Sequence, residues 1–312
     1  MDAGGTKLLA GVVDEDGRVL FQTFRSWARE TTREDVLLRF ETALQEARRH
    51  SDGIEAVGAA IPANVDITSG TAVSCRHLPL AGFAFRDWLA DVSGLPSYID
   101  NDATAAMLAE HRLGAARGAQ EALMLTIGTG IGGGIVSGGR VVRGMHGAAG
   151  EPGHMSIDFD GPPCPGDCPG RGCLEAYVSG PVLARLGYAY AARAADYQLG
   201  RTLAARGELT GADVVEAARA GDPGAREALA RMGEKLGVGI ANLVNLLDPE
   251  VIVVGGGAGA DAGHLLLETA ERVARERALE PGASDVRIEV AELGEASAMI
   301  GAGLLALAGG DA

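Results

Sequence analysis

The sequence predicts an α/β protein of two lobes that are related by an internal duplication. Its 312 residues exceed what one compact core usually holds. Near the start, Gly5-Thr6 leads into a strand-like run, an Asp/Gly turn and a second run. The same order of glycine loop, strand, turn and strand begins again at Gly128-Thr129. At a constant offset, residues 134–136 align with residues 11–13. We therefore expect two related lobes that each present a glycine-rich loop to one shared ligand.

The remaining chain alternates predicted strands with predicted helices. Apolar residues at helical spacing predict helices at 34–50, at 103–113, over most of 175–247, at 262–279 and at 296–307. Short apolar runs predict strands at 56–61, 95–99, 249–254 and 286–290. The last helix carries small residues, among them Gly301 and Ala302, which allow a neighbouring element to pack closely.

The composition disfavours several classes of protein. The net charge is −15, from 42 acidic and 27 basic residues, and such a surface repels nucleic-acid backbones. No stretch approaches the roughly 18 uninterrupted apolar residues of a membrane helix. The first residues lack the basic and apolar segments of a signal peptide. We therefore expect a cytoplasmic protein with small-molecule ligands, and neither a nucleic-acid nor a membrane partner.

The two glycine loops are candidates for binding phosphate. Glycines beside a strand let backbone N–H groups approach phosphate oxygens, and Thr6 and Thr129 add hydroxyl donors. Asp2 precedes the first loop and could hold Mg²⁺ through water. Neither loop has a Walker or Rossmann spacing, so each alone could be a tight hairpin in which glycine only turns the chain. Two loops in repeat register, with Gly255-Gly256-Gly257 after a third predicted strand, favour phosphate binding.

Asp102 stands at a predicted junction between a strand and a helix and has two interpretations. An enzyme that phosphorylates an alcohol needs a carboxylate near the attacking hydroxyl. An Asp directly before a helix, however, is most often an N-cap. Ala105 stands where a capping box needs Glu or Gln, so the local sequence does not decide between the two.

One histidine and three cysteines lie close together in a segment rich in Pro and Gly. They are His154, Cys164, Cys168 and Cys173. Their types and number match a closed tetrahedral zinc site, and their clustering favours metal binding over disulfides. The alternative is reduced cysteines packed as small hydrophobes, which so polar a segment disfavours. Glu151 and Glu175 flank the segment, and such carboxylates can bind paired sugar hydroxyls, although each alone is more often a solvated surface residue.

Taken together, these segments resemble the ROK family of repressors, open-reading-frame kinases and sugar kinases over nearly the whole chain. The matching segments are 2–7, 101–103, 128–134, 151–154, the cysteine cluster through 175, and 242–257. The resemblance implies an actin-like ATPase (ribonuclease H-like) fold with two lobes. It also implies an ATP-dependent sugar kinase that uses Mg²⁺ and carries a structural Zn²⁺.

The resemblance assigns roles to individual residues. Asp102 becomes the catalytic base and, with Asn64, Asn101, Glu151, His154 and Glu175, part of the sugar site. The implied ATP-binding residues are Asp2, Gly4, Gly5, Thr6, Lys7, Gly128, Thr129, Gly130, Gly256 and Gly257. Zinc is held by His154, Cys164, Cys168 and Cys173. His154 then serves twice, with one ring nitrogen on zinc and the other toward a sugar hydroxyl.

Three features depart from the family pattern. Met1 directly precedes Asp2, so the first strand is expected to be almost absent. Three residues, where the family has one, separate Cys164 from Cys168, so the loop must bulge. Pro62-Ala63-Asn64 replaces a Pro-Gly pair and His77 stands where Asn is common, which bears on the choice of sugar. We expect a small lobe at 1–103 plus 296–312 and a large lobe at 104–295 that includes the zinc loop.

The expected reaction is phosphorylation of glucose at its 6-hydroxyl. N-acetylmannosamine, N-acetylglucosamine and fructose are the alternative substrates. A sugar-responsive transcriptional regulator is the alternative from a different class. It is disfavoured because such members carry an additional helix-turn-helix domain, whereas this acidic chain begins at the phosphate loop. A scaffold that binds ATP without catalysis is disfavoured by the presence of Asp102 and the polar sugar-binding set.

A homodimer or higher homo-oligomer is expected.

Overall fold

Two five-stranded sheets with the same strand order form the framework of the fold. A computed structural model describes residues 1–5, 7–27, 31–75, 77–166, 168–193 and 196–310. The first sheet contains β1 (Asp2–Ala3), β2 (Lys7–Val13), β3 (Val19–Ser26), β4 (Val57–Ile61) and β7 (Ser97–Asn101). The second contains β8 (Ala122–Ile127), β9 (Ile131–Ser137), β10 (Arg140–Val141), β11 (Val251–Gly255) and β12 (Arg287–Val290). A separate antiparallel hairpin joins β5 (Ala63–Asp66) to β6 (Thr71–Cys75).

The internal duplication appears in the topology of these sheets. Their strand orders are β3-β2-β1-β4-β7 and β10-β9-β8-β11-β12, so each sheet reads third, second, first, fourth and fifth along the chain. In both sheets the third strand pairs antiparallel with the second, and the fourth and fifth pair in parallel. Each glycine loop joins the first strand of its sheet to the second. The predicted actin-like fold with an internal duplication is therefore confirmed.

Eleven α-helices occur among the described residues. They are α1 (Arg33–His50), α2 (Phe85–Ser93), α3 (Asp102–Leu113), α4 (Gly180–Ala191), α5 (Gln198–Arg206), α6 (Gly211–Arg219), α7 (Pro223–Leu247), α8 (Gly257–Ala262), α9 (His264–Arg277), α10 (Gly282–Asp285) and α11 (Ser297–Leu307). The predicted helices and strands agree with these bounds to within about two residues. In the described part of the chain, every helix is too short or too polar to span a lipid bilayer.

Local signals explain where two of the longer helices begin. Thr32 caps α1 by accepting the amide of Asp35, and acidic residues fill its first turn while basic residues fill its last. Asp222 caps α7, accepting the amides of Gly224 and Ala225, and Pro223 occupies the first helical position, where its missing N–H is not needed.

The first strand has only two residues, as its sequence predicted. Asp2 lies opposite Leu9 of β2 and Ala60 of β4, so this short strand is paired on both sides. The amide of Ala60 donates to the carbonyl of Met1 at 2.8 Å, and the Met1 amino group donates to the carbonyl of Gly58 at 2.8 Å. Pairing on both sides holds the residues that lead into the first glycine loop.

The chain forms two compact units. The first contains Met1–Gln120, Gly134–Gly150 and Glu295–Ala312, and the second contains Glu121–Gly133 and Glu151–Gly294. These bounds differ from the lobes expected from the sequence, chiefly because α3 packs against α11 and so belongs to the first unit. The segment with the histidine and cysteines lies in the second unit.

Two glycines allow α11 to pack closely in the first unit. A Cβ atom on Gly301 would lie 1.8 Å from the carbonyl oxygen of Ala105 in α3. A Cβ atom on Gly58 in β4 would lie 1.7 Å from the carbonyl oxygen of Ala302. Backbone therefore meets backbone at both contacts, and no side-chain rearrangement can make room for a larger residue.

We predict that Gly301→Ala lowers the free energy of unfolding by at least about 1–3 kcal/mol, because the added methyl group forces α3 and α11 apart. Urea unfolding followed by circular dichroism measures the change. Gly53→Ala is the matched control, since no atom lies within 4 Å of its Cβ position. Equal unfolding midpoints for the two variants would show that the contact can relax at no cost.

Candidate active site

The junction between β7 and α3 is capped by Asn101. Its side-chain oxygen accepts the amides of Ala103 at 2.9 Å and Thr104 at 3.1 Å. Asp102 is the first residue of the helix, and its Oδ1 atom also accepts the Ala103 amide at 2.9 Å. The interpretation of Asp102 as the N-cap is therefore wrong. Its carboxylate lies in the first turn of the helix, where the helix dipole stabilises negative charge.

The β5–β6 hairpin lies beside this junction in the first unit. The side-chain amide of Asn101 donates to the carbonyl of Ala63 at 3.3 Å, and Asn64 follows in the same strand. Cys75 at the end of β6 donates to the carbonyl of Pro62 at 3.3 Å. Burial raises the pKa of the Cys75 thiol, and the negative charge of Asp102 raises it further. Asn64, Asn101 and Asp102 thus lie on adjacent elements of the first unit.

The first glycine loop is held by contacts within its own unit. The amide of Gly4 donates to the carbonyl of Lys7 at 2.7 Å, and the indole of Trp27 donates to the carbonyl of Gly5 at 3.0 Å. A Cβ atom on Gly5 would lie 3.2 Å from Cβ of His77, so glycine allows His77 to approach the loop. Thr6, predicted to bind phosphate, lies outside the described residues.

Asp2 and Lys7 flank this loop with opposite charges. Burial raises the pKa of Asp2 to about 6, although the Met1 amino group and Lys7 oppose the shift. Lys7 Nζ lies 3.2 Å from an Oε atom of Glu295. A carboxylate with a raised pKa gains most from a nearby cation, so Asp2 suits the coordination of Mg²⁺ directly or through water.

The second glycine loop is held by Glu175. Oε2 of this residue accepts the amide of Ile131, directly after the loop, at 2.8 Å, and Glu175 is only 8% exposed. A Cβ atom on Gly130 would lie 2.2 Å from the same oxygen, so a larger residue there would displace the Glu175 carboxylate from this contact. The carbonyl of Gly128 accepts the amide of Gly180 at 2.8 Å, which fixes the other end of the loop. Thr129, between these two anchored residues, is exposed.

The third glycine run turns the chain from β11 into α8. Gly256 has φ +77°, and a Cβ atom there would lie 2.6 Å from the backbone of Ile127 in β8. Only glycine fits this position. Gly257 begins α8 and has no atom within 4 Å of its Cβ position, so its surface is open to a ligand.

Three of the predicted sugar ligands lie within electrostatic range of one another in the second unit. Glu151 precedes a 3-10 turn at Pro152–His154, and its carbonyl accepts the amide of His154 at 3.1 Å. Part of the Glu151 residue is exposed, but loss of water around its carboxylate raises the pKa of that group. His154 opposes this shift, and the like charge of Glu175 adds to it. The structure therefore groups Glu151, His154 and Glu175 as polar groups that can bind a hydroxylated ligand.

The histidine and three cysteines converge on one point. His154 Nδ1 lies 3.4 Å from Cys164 Sγ, and Cys168 Sγ lies 3.6 Å from Cys173 Sγ. All four ligand atoms lie within 4.8 Å of one another. Ligands about 2.0–2.3 Å from a tetrahedral zinc ion are separated by about 3.5–3.8 Å, so this group fits zinc. Nδ1 is the ring nitrogen that faces the cysteines, which leaves Nε2 for another partner.

The backbone around the cysteines also suits a metal. The amide of Gly166 donates to Cys164 Sγ at 3.3 Å and that of Gly170 to Cys168 Sγ at 3.4 Å, which favours the thiolate forms. The amide of Cys164 donates to the carbonyl of Gly170 at 3.0 Å. A hairpin thus accommodates the wider spacing between Cys164 and Cys168. Burial raises the pKa of Cys173 to about 12, so its ionisation calls for a cation among the sulfurs.

Sequence reasoning missed a buried ion pair two residues before Asp102. Arg143 Nε donates to Oδ2 of Asp100 at 2.9 Å, and its Nη2 atom lies 2.9 Å from the same oxygen. In the sequence, the only sign of this ion pair is Asp100, a second acidic residue close to Asp102. Its partner lies 43 residues away, and no local pattern connects the two.

Comparison with known proteins gives one consistent result. The model of the ROK family matches residues 1–308. A glucokinase from Halalkalibacterium halodurans is 32% identical, over 98% of this chain and 93% of the relative. An N-acetylmannosamine kinase from Citrobacter koseri is 32% identical, over 98% of this chain and 97% of the relative. The crystal structure of a ROK family glucokinase from Streptomyces griseus in complex with glucose and AMPPNP has a TM-score of 0.88 and 33% identity, and covers 98% of both chains.

We predict that the purified protein contains about one equivalent of zinc per chain and that Cys168→Ser lowers this value substantially, because four ligands become three. Metal analysis after gentle purification measures the content. Cys75→Ser, which removes the cysteine outside the cluster, should leave zinc unchanged. Less than about half an equivalent in the parent protein would contradict the four-ligand site.

Proposed function

This chain belongs to the ROK family, and on that premise we propose that this sugar kinase transfers the γ-phosphoryl group of ATP to the 6-hydroxyl of glucose. The observation that carries the proposal is the position of Asp102. It opens α3 beside the β5–β6 hairpin, and Asn101 caps the helix, so Asp102 is not needed for that role.

The proposed role of Asp102 is that of general base. It accepts the proton of the 6-hydroxyl as that oxygen attacks the γ-phosphorus. The new O–P bond forms while the bond from phosphorus to the β,γ-bridging oxygen breaks, and ADP leaves with the electron pair. The Ala103 amide, which donates to Oδ1 of Asp102, and the peptide dipoles at the start of α3 favour the negative charge of this carboxylate. Little covalent chemistry is left to the protein, so positioning and charge stabilisation supply most of the rate.

The phosphate-binding residues are proposed from the geometry of the glycine loops. Gly5, Thr129 and Gly130 would offer amide or hydroxyl donors to the phosphates, with Gly4, Thr6, Lys7 and Gly128 beside them. Gly256 and Gly257 would contact the adenosine. Asp2 would hold Mg²⁺, which neutralises the charge on the β- and γ-phosphates when it is bound. The raised pKa of Asp2 supports this assignment.

The proposed sugar-binding residues are described within each unit. Asn64, Asn101 and Asp102 come from the first, and Glu151, His154 and Glu175 from the second. Zinc would fix the ring of His154 through Nδ1 and so aim Nε2 at a sugar hydroxyl. Glucose is favoured because the relatives include glucokinases, one of them crystallised with glucose. N-acetylmannosamine, N-acetylglucosamine and fructose are the competitors.

We predict that Asp102→Asn lowers kcat by about 10²–10⁴-fold, since the amide cannot accept the proton. Glucose binding, measured by calorimetry, should stay close to that of the parent protein because the side chain keeps its size and polarity. Asp87→Asn, which neutralises an exposed carboxylate on α2, is the control and should leave kcat unchanged. A near-normal kcat in the Asp102 variant would exclude it as the base.

A sugar panel tests the substrate. ADP release should show the highest kcat/KM with glucose, and glucose-6-phosphate dehydrogenase should detect the product. 6-Deoxyglucose is the matched control, because it keeps the ring but lacks the attacking hydroxyl and should give no turnover. A higher kcat/KM with an N-acetyl sugar or fructose would reject glucose as the preferred substrate. Absence of turnover on every hexose would reject the hexose kinase proposal.

A further inference from the structure

The ion pair between Asp100 and Arg143 is buried at the end of β7. The Asp100 side chain is 5% exposed and that of Arg143 17%. Burial raises the pKa of Asp100, and the guanidinium opposes that shift. A buried pair of this kind is a poor source of stability, because apolar residues of similar volume often serve as well. Its place, two residues before the proposed base, therefore calls for a reason other than stability.

The Asp100 carboxylate connects Arg143 to the turn that carries Asp102. Oδ2 faces the guanidinium, and Oδ1 accepts the amide of Asn101 at 2.9 Å. The Asn101 side chain in turn caps α3 and donates to the carbonyl of Ala63. Each hydrogen bond fixes the residue that makes the next, and the series ends at the amides of Ala103 and Thr104, in the first turn that also contains Asp102.

Arg143 also holds the segment that it belongs to, residues 142–150. Its carbonyl accepts the amide of Ala149 at 3.1 Å, which closes the segment into a loop. Gly147 of this loop approaches β5 so closely that a Cβ atom there would lie 1.9 Å from the carbonyl oxygen of Val65. Val65 follows Asn64, a proposed sugar ligand, and residue 150 is followed by Glu151, another. One guanidinium therefore joins the end of β7 to a loop packed on the sugar-binding hairpin.

We infer that Arg143 is a positioning residue for phosphoryl transfer, which fixes Asp102 through Asp100 and attaches the 142–150 loop to the same turn. The inference rests on the proposed function in that Asp102 is taken as the base. It assigns Arg143 no contact with the substrate. A shift of the base by about 1 Å is enough to cost about 100-fold in rate, so a residue that fixes its backbone has a large effect on kcat.

The test separates positioning from stability with a double variant, Asp100→Asn with Arg143→Met. Asn keeps an acceptor for the Asn101 amide, Met fills the volume of the arginine stem, and no unpaired charge is left buried. We expect the unfolding midpoint to stay near that of the parent protein and kcat at saturating sugar to fall about 10- to 100-fold. KM for ATP should stay within about twofold, because the glycine loops are not touched. Arg143→Lys keeps the charge without the planar fork and should lose less of kcat than the double variant.

Arg140→Gln is the matched control, since Arg140 is an exposed arginine on β10, and it should leave kcat unchanged. A double variant that is stable and keeps kcat within about twofold of the parent would overturn the inference while leaving the kinase proposal intact. Hydrogen exchange gives a readout that does not need turnover. Amides 101–104 and 142–150 should exchange faster in the double variant at equal global stability. Unchanged exchange there overturns the inference, whatever the sugar assay shows.

Discussion

The hydrogen bonds from the Asn101 side chain to the Ala103 and Thr104 amides hold the end of β7 and the start of α3 in one turn. Every other feature of the proposed base depends on that turn. Because Asn101 supplies the capping oxygen, Asp102 enters the helix with its carboxylate in the first turn, where the Ala103 amide and the helix dipole favour its charge. The same asparagine donates to Ala63 and so connects the helix start to the hairpin that carries Asn64. The contacts of Asn101 therefore both cap α3 and connect it to the β5–β6 hairpin.

Glu175 plays the corresponding part in the second unit. It follows Cys173 by two residues, and its buried Oε2 atom holds the amide that ends the second glycine loop. The cysteine cluster orders the segment from which Glu175 projects, and Glu175 in turn fixes the loop proposed to bind phosphate. If a sugar hydroxyl binds the other oxygen of this carboxylate, sugar and nucleotide share one side chain. A zinc ion held by these cysteines and His154 would then influence both ligands without a direct part in the chemistry.

The sequence was sufficient for features that depend on local pattern. The predicted helices and strands follow from apolar spacing, the duplication from the repeat of glycine loop and hairpin, and the grouping of one histidine with three cysteines from ligand types close in the chain, whereas α2 and the β5–β6 hairpin were not predicted. It could not decide whether Asp102 caps the helix or is left for another role, because that depends on Asn101 being the cap, which only the end of β7 fixes. The contact of Glu175 with Ile131 and that of Arg143 with Asp100 were also missed. Each joins residues more than forty positions apart, and packing alone brings them together.

The two sheets have the same topology, but different side chains hold their glycine loops. Both units place a glycine loop between their first and second strands, yet the first strand has two residues in one unit and six in the other. In the first unit the loop is fixed by contacts from outside the strand, namely the Trp27 indole and the approach of His77 to Gly5. In the second it is fixed by Glu175 and Gly180. The feature that both units share is a glycine loop held in place by surrounding groups. Each unit holds its loop with different side chains, because a phosphate needs the backbone to be held in place and does not depend on which residues hold it.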